Sequence, residues 1–116
     1  LPTPIKYYSG TITEAYKQVE RIAGDKLLDL LPQELRSSYD AYIHESDPEI
    51  RPIVKAADKL SAYIKCVEEQ KAGNAEFESA ASQTMAAMLA LEQPELTWFI
   101  AHCLPPYSRN LDQLGL

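Results

Sequence analysis

Apolar residues recur at intervals of three and four along most of the chain, which is the spacing that places them on one face of an α-helix. The alternation of apolar and polar residues that is typical of strands is missing. The pattern predicts helices over residues 11–31, 33–45, 46–72, 75–92 and 98–104. We therefore expect an all-α fold, a globular bundle of about five helices.

The predicted helices carry recognisable end signals. Thr11 followed by Glu14 has the form of a capping box. Residues 46–48 (Ser-Asp-Pro) combine a polar cap with a proline suited to a first turn, and Gly73 is a good signal for the end of that helix. The prolines that are expected to stop helices are Pro32, Pro94, Pro105 and Pro106. We expect the tail after Pro106 to be irregular.

The third predicted helix carries one acidic residue next to its apolar stripe. The stripe consists of Ile50, Val54, Ala57, Ser61 and Ile64. Asp58 lies one turn after Val54 and borders it. Burying an unpaired carboxylate costs several kcal/mol, so a buried Asp58 needs a metal ion, a basic side chain or backbone amides as its partner. Alternatively, the side chain turns to the surface and pairs with Lys55 or Lys65. The pattern leaves both open.

Composition and charge limit the partners of this chain. Of its 116 residues 46% are hydrophobic and 24% are charged, as in ordinary globular proteins, and the net charge is −6. We expect no binding to nucleic acid polymers, because that needs clustered Lys and Arg. No apolar run approaches the roughly 20 residues that span a bilayer, and the first residues do not resemble a signal peptide. We expect no membrane association. The chain lacks an initiating Met, which suggests that it begins partway through a longer gene product.

The cysteines and histidines do not form a recognisable reactive motif. Cys66 and Cys103 are expected to be free thiols, buried or half-buried, and they match no zinc template. We expect a solvated His44 at a helix end and a half-buried His102. The sequence also lacks a Ser/His/Asp signature and a Gly-rich phosphate loop. On its own, the chain is therefore not expected to do chemistry.

The opening Leu1-Pro2-Thr3-Pro4 is a stiff, extended segment, because each proline fixes its own φ and restricts the residue before it. Such a strip can present backbone groups and a hydroxyl to a ligand. It can equally well just deliver the chain to the first helix.

Three stretches resemble a known family. They are LPTPIKYY at residues 1–8, EAYKQVERIAGDKLLDLLPQELR at 14–36 and VKAADKLSAYIKCVEEQKAGNAEF at 54–77. In this order they resemble the C-terminal two-thirds of the bacterial 5′-deoxynucleotidases of the HD-domain phosphohydrolase superfamily, strongly over residues 1–80 and loosely over 81–116. The resemblance implies that residues 1–116 are the C-terminal part of a single HD-type phosphohydrolase domain. It also implies a cytoplasmic homodimer that removes phosphate from deoxyribonucleoside 5′-monophosphates.

The resemblance assigns roles to four residues. Asp58, in the motif Lys55-Ala56-Ala57-Asp58, matches the last ligand of the family's divalent cation, a transition metal such as cobalt, manganese or zinc, and would serve as a catalytic, metal-binding and substrate-binding residue. Leu1, Pro2 and Thr3 match a substrate-contacting strip. The family's other ligands, a His and a His-Asp doublet, lie before this strip and have no match here. The chain alone is therefore expected to be inactive.

Two other interpretations remain open. One is a non-catalytic helical interaction module, and the other is an HD-superfamily hydrolase that acts on a different phosphate ester. A segment without its partner helices would expose a large apolar face, so we expect this chain to aggregate or dimerise when it is made alone.

Overall fold

The computed structural model describes residue 5 and residues 8–115, and this part of the chain is helical and contains no strand. The α-helices are α1 (Gly10–Asp29), α2 (Gln33–Ile43), α3 (Arg51–Lys71), α4 (Glu78–Ala90) and α5 (Pro94–His102). Short 3-10 helices cover Ala75–Phe77, Pro105–Ser108 and Asp112–Leu114. The prediction of an all-α bundle of about five helices is confirmed.

Helix α1 begins earlier than predicted. Ser9 has an extended backbone, and its hydroxyl accepts a hydrogen bond from the Ile12 amide at 3.2 Å. Ser9 is thus the capping residue, and Thr11 already lies within the helix. The predicted capping box at Thr11 is wrong, because the serine two residues earlier satisfies an amide of the first turn. Pro32 directly precedes α2, as expected of a residue that ends one helix and allows the next to start.

Three further helix starts differ from the prediction. Helix α4 begins at Glu78, after the short 3-10 helix Ala75–Phe77. Helix α3 begins at Arg51, after a turn, with Pro52 in its first turn. The sequence pattern predicts that Pro94 ends a helix and that the next helix begins at Trp98. In the structure, α5 already begins at Pro94. A proline is tolerated there because the first amides of a helix have no partner within it. The predicted end of α3 is confirmed, since Gly73 takes a left-handed φ of 92°.

The core lies between α3, α4 and α5. One cluster is centred on buried Ala56, Met88 and Leu96, and a second on Cys66, Ala80 and Ala81. Tyr63 packs against both clusters and so joins them. Alanines on both α3 and α4 allow the two helices to approach closely. Burial of these side chains is the main stabilising contribution in this region.

The predicted inner stripe of α3 is wrong. Ile50 and Val54 remain 46% and 49% exposed, and Ala57 and Ser61 are also exposed. The buried residues of α3 are instead Ala56 and Cys66. The packed side is therefore rotated from the predicted one, because α4 and α5 pack where small side chains permit close contact.

Helices α1 and α2 form a hairpin that packs mainly against itself. Gly24 and Leu28 are the buried residues of α1, and no residue of α2 is buried. Gly24 lies so close to the end of α2 that a Cβ atom there would come within 2.5 Å of His44 Cε1 and 3.2 Å of Ile43 Cγ2. Glycine is therefore what lets the two helices meet at this point.

The remaining features of the described chain concern its shape, turns and thiols. The molecule measures 54 × 28 × 28 Å.

Between α4 and α5, Glu92 takes a left-handed φ of 50°. Cys66 is buried and Cys103 half-buried, both free, which confirms the prediction for the thiols. None of the described helices combines the length and the apolar character that crossing a membrane would need.

Candidate functional site

A cavity of about 880 Å³ lies beside the N-terminal half of α3. Helix α1, the loop between α2 and α3, and the turn between α4 and α5 complete its walls. The lining residues are Lys17, Glu45, Ser46, Pro48, Arg51, Pro52, Val54, Lys55, Asp58, Leu91 and Gln93. The cavity is thus where the α1–α2 hairpin meets the helices that form the core.

The loop that leads into α3 is held by hydrogen bonds within it. The carboxylate of Glu45 accepts from the Asp47 amide at 2.9 Å, and that of Asp47 accepts from the Glu49 amide at 2.8 Å. The Arg51 amide donates to the Asp47 carbonyl at 2.8 Å. Aspartate and glutamate at such positions satisfy amides that have no helical partner. The loop therefore fixes the point at which α3 starts, and with it the side of α3 that faces the cavity.

Asp58 lies on the wall of this cavity with an exposed side chain. Within the described part of the chain it has no hydrogen bond or ion pair. Lys65, one of its two predicted surface partners, instead bonds to Glu69. The ion pair with Lys55 is not formed either, although Lys55 lines the same cavity. Asp58 is therefore a solvated, unpaired carboxylate at a concave surface.

The other predicted site residues, Leu1, Pro2 and Thr3, lie outside the described residues. Their role in substrate binding stays a prediction, as do the roles assigned to Asp58.

The described residues do not by themselves make a divalent metal site. Across residue 5 and residues 8–115, no three His, Cys, Asp or Glu side chains are grouped closely enough to hold an ion. Hard divalent cations in proteins take about six oxygen ligands, and zinc about four ligands in all. Asp58 supplies one carboxylate, so a metal at this position needs ligands from beyond the described residues.

The basic residues of the cavity differ in whether they are already paired. Lys17 donates to Glu14 at 2.8 Å, and this hydrogen bond with its ion pair holds the pKa of Glu14 below its usual range. The side chains of Arg51 and Lys55 form no hydrogen bond or ion pair with any described residue. Two uncompensated positive charges therefore lie within two helical turns of Asp58. Neither residue is predicted from the sequence as part of a site, although the spacing of Lys55 and Asp58 places them on one side of a helix.

The two histidines lie away from this cavity, and both differ from their predicted environments. His44 was expected to be solvated but is partly buried, with its Nε2 2.9 Å from Asp25 Oδ1. His102 was expected to be half-buried but is exposed, and its ring stacks on Trp98 with the ring centroids 4.5 Å apart. His44 is placed by a contact between two helices, and His102 by a contact one turn away on its own helix. The sequence pattern predicted neither contact.

A smaller cavity of about 420 Å³ lies within the α1–α2 hairpin. Arg36 spans it, donating to the Leu31 carbonyl at 3.0 Å and the Asp29 carbonyl at 3.1 Å. These bonds tie the start of α2 to the end of α1. Asp29 also pairs with Arg36, and Asp25 with His44, so these charged residues make contacts within the hairpin itself.

Comparison with known proteins places the chain in a family. Residues 1–107 match the family model described as 5′-deoxynucleotidase YfbR-like. Curated 5′-deoxynucleotidases from Pectobacterium atrosepticum and Erwinia tasmaniensis are each 41% identical to it over 117 residues, covering 99% of the chain. One from Yersinia pestis is 39% identical over 118 residues, covering the whole chain. The chain spans 59% to 60% of the length of these relatives. It belongs to the YfbR-like 5′-deoxynucleotidase family.

Proposed function

We propose that the protein containing this chain hydrolyses deoxyribonucleoside 5′-monophosphates to a deoxyribonucleoside and inorganic phosphate. The observation that carries the proposal is the unpaired carboxylate of Asp58 on the wall of a cavity large enough for a nucleotide. The relatives that carry the name 5′-deoxynucleotidase support the choice of reaction. In this proposal residues 1–116 are the C-terminal part of a single HD-type phosphohydrolase domain.

Asp58 is proposed as one ligand of a divalent cation and as a group that touches the substrate. An unpaired carboxylate in a concave, solvated position is a suitable ligand for such a cation. The ion is proposed to be a transition metal such as cobalt, manganese or zinc, held jointly with residues beyond those described. Leu1, Pro2 and Thr3 are proposed to contact the substrate.

The test replaces Asp58 in the complete gene product. We expect Asp58→Ala to lower the release of phosphate from deoxyadenosine 5′-monophosphate by at least about 100-fold, because even residues that only support metal ligands contribute about 10- to 100-fold. Asp58→Asn keeps the size of the side chain and should show the same loss. Both assays are run with Co²⁺, Mn²⁺ and Zn²⁺ in turn. Calorimetric titration of each ion should show weakened binding in both variants.

Glu68→Gln is the matched control, because Glu68 is an exposed acid on the same helix and does not line the cavity. It should leave turnover and metal affinity unchanged. Far-UV circular dichroism checks that each variant remains helical. Near-normal hydrolysis by a folded Asp58→Ala variant would rule out the proposed role.

A substrate panel separates this function from hydrolysis of another phosphate ester. The panel contains deoxyribonucleoside 5′-monophosphates, the matching ribonucleotides and a simple aryl phosphate. The proposal requires the highest kcat/KM for the deoxyribonucleotides. A preference for either of the other two classes would favour an HD-superfamily hydrolase with a different substrate.

We further propose that the protein is a cytoplasmic homodimer. Large apolar side chains on the outside of α1 support a protein–protein contact, since Val19, Ile22 and Leu27 are each more than half exposed. Light scattering coupled to size-exclusion chromatography measures the mass directly. A monomer at micromolar concentration would contradict the dimer.

A further inference from the structure

The cavity carries more positive charge than the chain as a whole would suggest. The chain has a net charge of −6, whereas the cavity wall holds Lys17, Arg51 and Lys55 against Glu45 and Asp58. Lys17 is compensated by Glu14, as described above. Arg51 and Lys55 have no compensating partner within the described residues. Arg51 and Lys55 equal Glu45 and Asp58 in number, so the net charge of the wall is near zero whereas that of the chain is −6. The Arg51–Lys55 pair is the part of the wall that is suited to an anion.

The two cations also lie next to each other. Arg51 and Lys55 are four residues apart on α3, so their side chains are neighbours one turn apart. Like charges at this spacing disfavour the helix, an effect that a bound anion between them removes. Asp58 follows Lys55 by three residues on the same wall. The carboxylate of Asp58 therefore repels an anionic substrate unless positive charge lies beside it in the cavity.

We infer that Arg51 and Lys55 bind the phosphate group of the nucleotide substrate. This inference rests on the proposed function and adds to it a pair of substrate-binding residues. The guanidinium can donate two parallel hydrogen bonds to phosphate oxygens, and the ammonium offers a compact charge with three donors. Their two positive charges are equal in number to the two negative charges of a phosphate monoester. They bind the substrate through its phosphate and do not recognise the base.

The first experiment measures binding of inorganic phosphate to the complete gene product by calorimetry, with EDTA present so that no metal ion contributes. Lys55→Gln and Arg51→Gln should each weaken phosphate binding by about 10-fold, as expected for the loss of one charge-assisted contact. Lys55→Arg retains the charge and should restore most of the affinity. Lys65→Gln is the matched control, because it removes one exposed lysine from the same helix outside the cavity.

The second experiment measures hydrolysis of deoxyadenosine 5′-monophosphate with metal ions added. Lys55→Gln should raise KM by about 10-fold, with binding of deoxyadenosine, which lacks the phosphate, unchanged. Variants with normal helical circular dichroism but unaltered phosphate affinity and KM would overturn the inference. Equal effects of Lys65→Gln and Lys55→Gln would also overturn it, because they would indicate a general effect of net charge.

Failure of the inference can be distinguished from failure of the proposed function. If Asp58→Ala abolishes turnover while Lys55→Gln leaves phosphate affinity and KM unchanged, the function stands and this inference is wrong. If phosphate affinity falls in Lys55→Gln but Asp58→Ala retains turnover, the anion site stands and the proposed role of Asp58 is wrong.

Discussion

The α3–α5 region and the α1–α2 hairpin are both helical, yet they are stabilised in different ways. In α3–α5 the contacts between helices are apolar and buried, with Met88 only 1% exposed. In the hairpin the helices meet at Gly24 and Leu28, and polar bonds from Arg36 and His44 hold the two ends together. The difference indicates that apolar burial contributes most to the stability of α3–α5, whereas the hairpin depends more on local polar contacts.

This division bears on the candidate site. Asp58, Lys55 and Arg51 are all on α3, which is anchored in the core by Ala56 and Cys66. Lys17 reaches the cavity from the hairpin. The proposed metal-binding and phosphate-binding groups therefore share one helix that is anchored in the core, and the hairpin contributes another part of the wall. Functional groups on a rigid element keep their relative positions better than groups on a mobile one.

The largest expected effect is on the core of α3–α5. Met88→Ala should lower the free energy of unfolding by about 2–5 kcal/mol, because a fully buried side chain is lost and a cavity remains. Urea unfolding followed by circular dichroism measures this change. Leu27→Ala in the hairpin is the comparison, since Leu27 is 56% exposed, and it should cost less than about 1 kcal/mol. Equal losses would contradict the division into two regions.

The next largest effect is expected where the hairpin closes. Gly24→Ala should lower stability by about 1–3 kcal/mol, because its methyl group would overlap the His44 ring and displace it from Asp25. Gly10→Ala is the control, since a Cβ atom there meets nothing within 4 Å. It should be neutral or stabilise by up to about 1 kcal/mol, because alanine favours the helix. A neutral Gly24→Ala variant would show that the hairpin adjusts freely at this contact.

The sequence was sufficient to predict the helices but not the sides on which they pack. Prolines and glycines predicted some boundaries correctly, as at Pro32 and Gly73, but Pro48 and Pro94 led to wrong starts for α3 and α5. The packed side of α3 was mispredicted because apolar and small residues occur on several sides of this helix. Which side is buried depends on α4 and α5, and single-helix periodicity carries no information about them.

The candidate site could likewise be predicted only in part. Asp58 was identified by its position beside an apolar stripe and by the family resemblance. Its lack of a partner could not be predicted, because it depends on Lys65 bonding to Glu69 and on Lys55 staying unpaired. The contact between His44 and Asp25 joins residues 19 positions apart on different helices. No local spacing rule could predict that pair.

A pH effect should separate the two regions further. Burial raises the pKa of the Cys66 thiol, so the unfolded chain releases this proton at lower pH than the folded one. The neutral thiol contributes to the free energy of unfolding. This contribution is fully present below the ordinary thiol pKa of about 8.5 and is lost as pH rises through the raised pKa of the folded state. Urea unfolding at pH 7 and pH 9.5 under reducing conditions should show a fall in stability.

Part of that fall should disappear in Cys66→Ala, which has no thiol at this position. Cys103→Ser should retain the full fall, since the buried thiol is still present. Identical pH dependence in the wild type and Cys66→Ala would show that other groups cause the effect.

The smallest effect is expected at the surface ion pair of α3. A hydrogen bond from Lys65, followed by one from Asn74, lowers the pKa of Glu69. The ionised Glu69 carboxylate therefore contributes to stability above the ordinary glutamate pKa. This contribution is lost as pH falls through the lowered pKa of the folded state. Glu69→Gln should flatten the acid limb of the stability profile slightly, and added salt should weaken the difference. A large loss at neutral pH would show that this pair supports the fold.

The left-handed backbone of Glu92 has a consequence for how the protein tolerates mutation. A residue with a β-carbon is disfavoured in this conformation by about 1–2 kcal/mol, and glycine is not. Leu91 and Gln93, its neighbours on either side, line the cavity. The turn at Glu92 therefore contributes to where this edge of the cavity lies. Substitution of Gln93 can accordingly change this edge of the cavity with little effect on the core, whereas Leu91 also packs against the cluster around Met88.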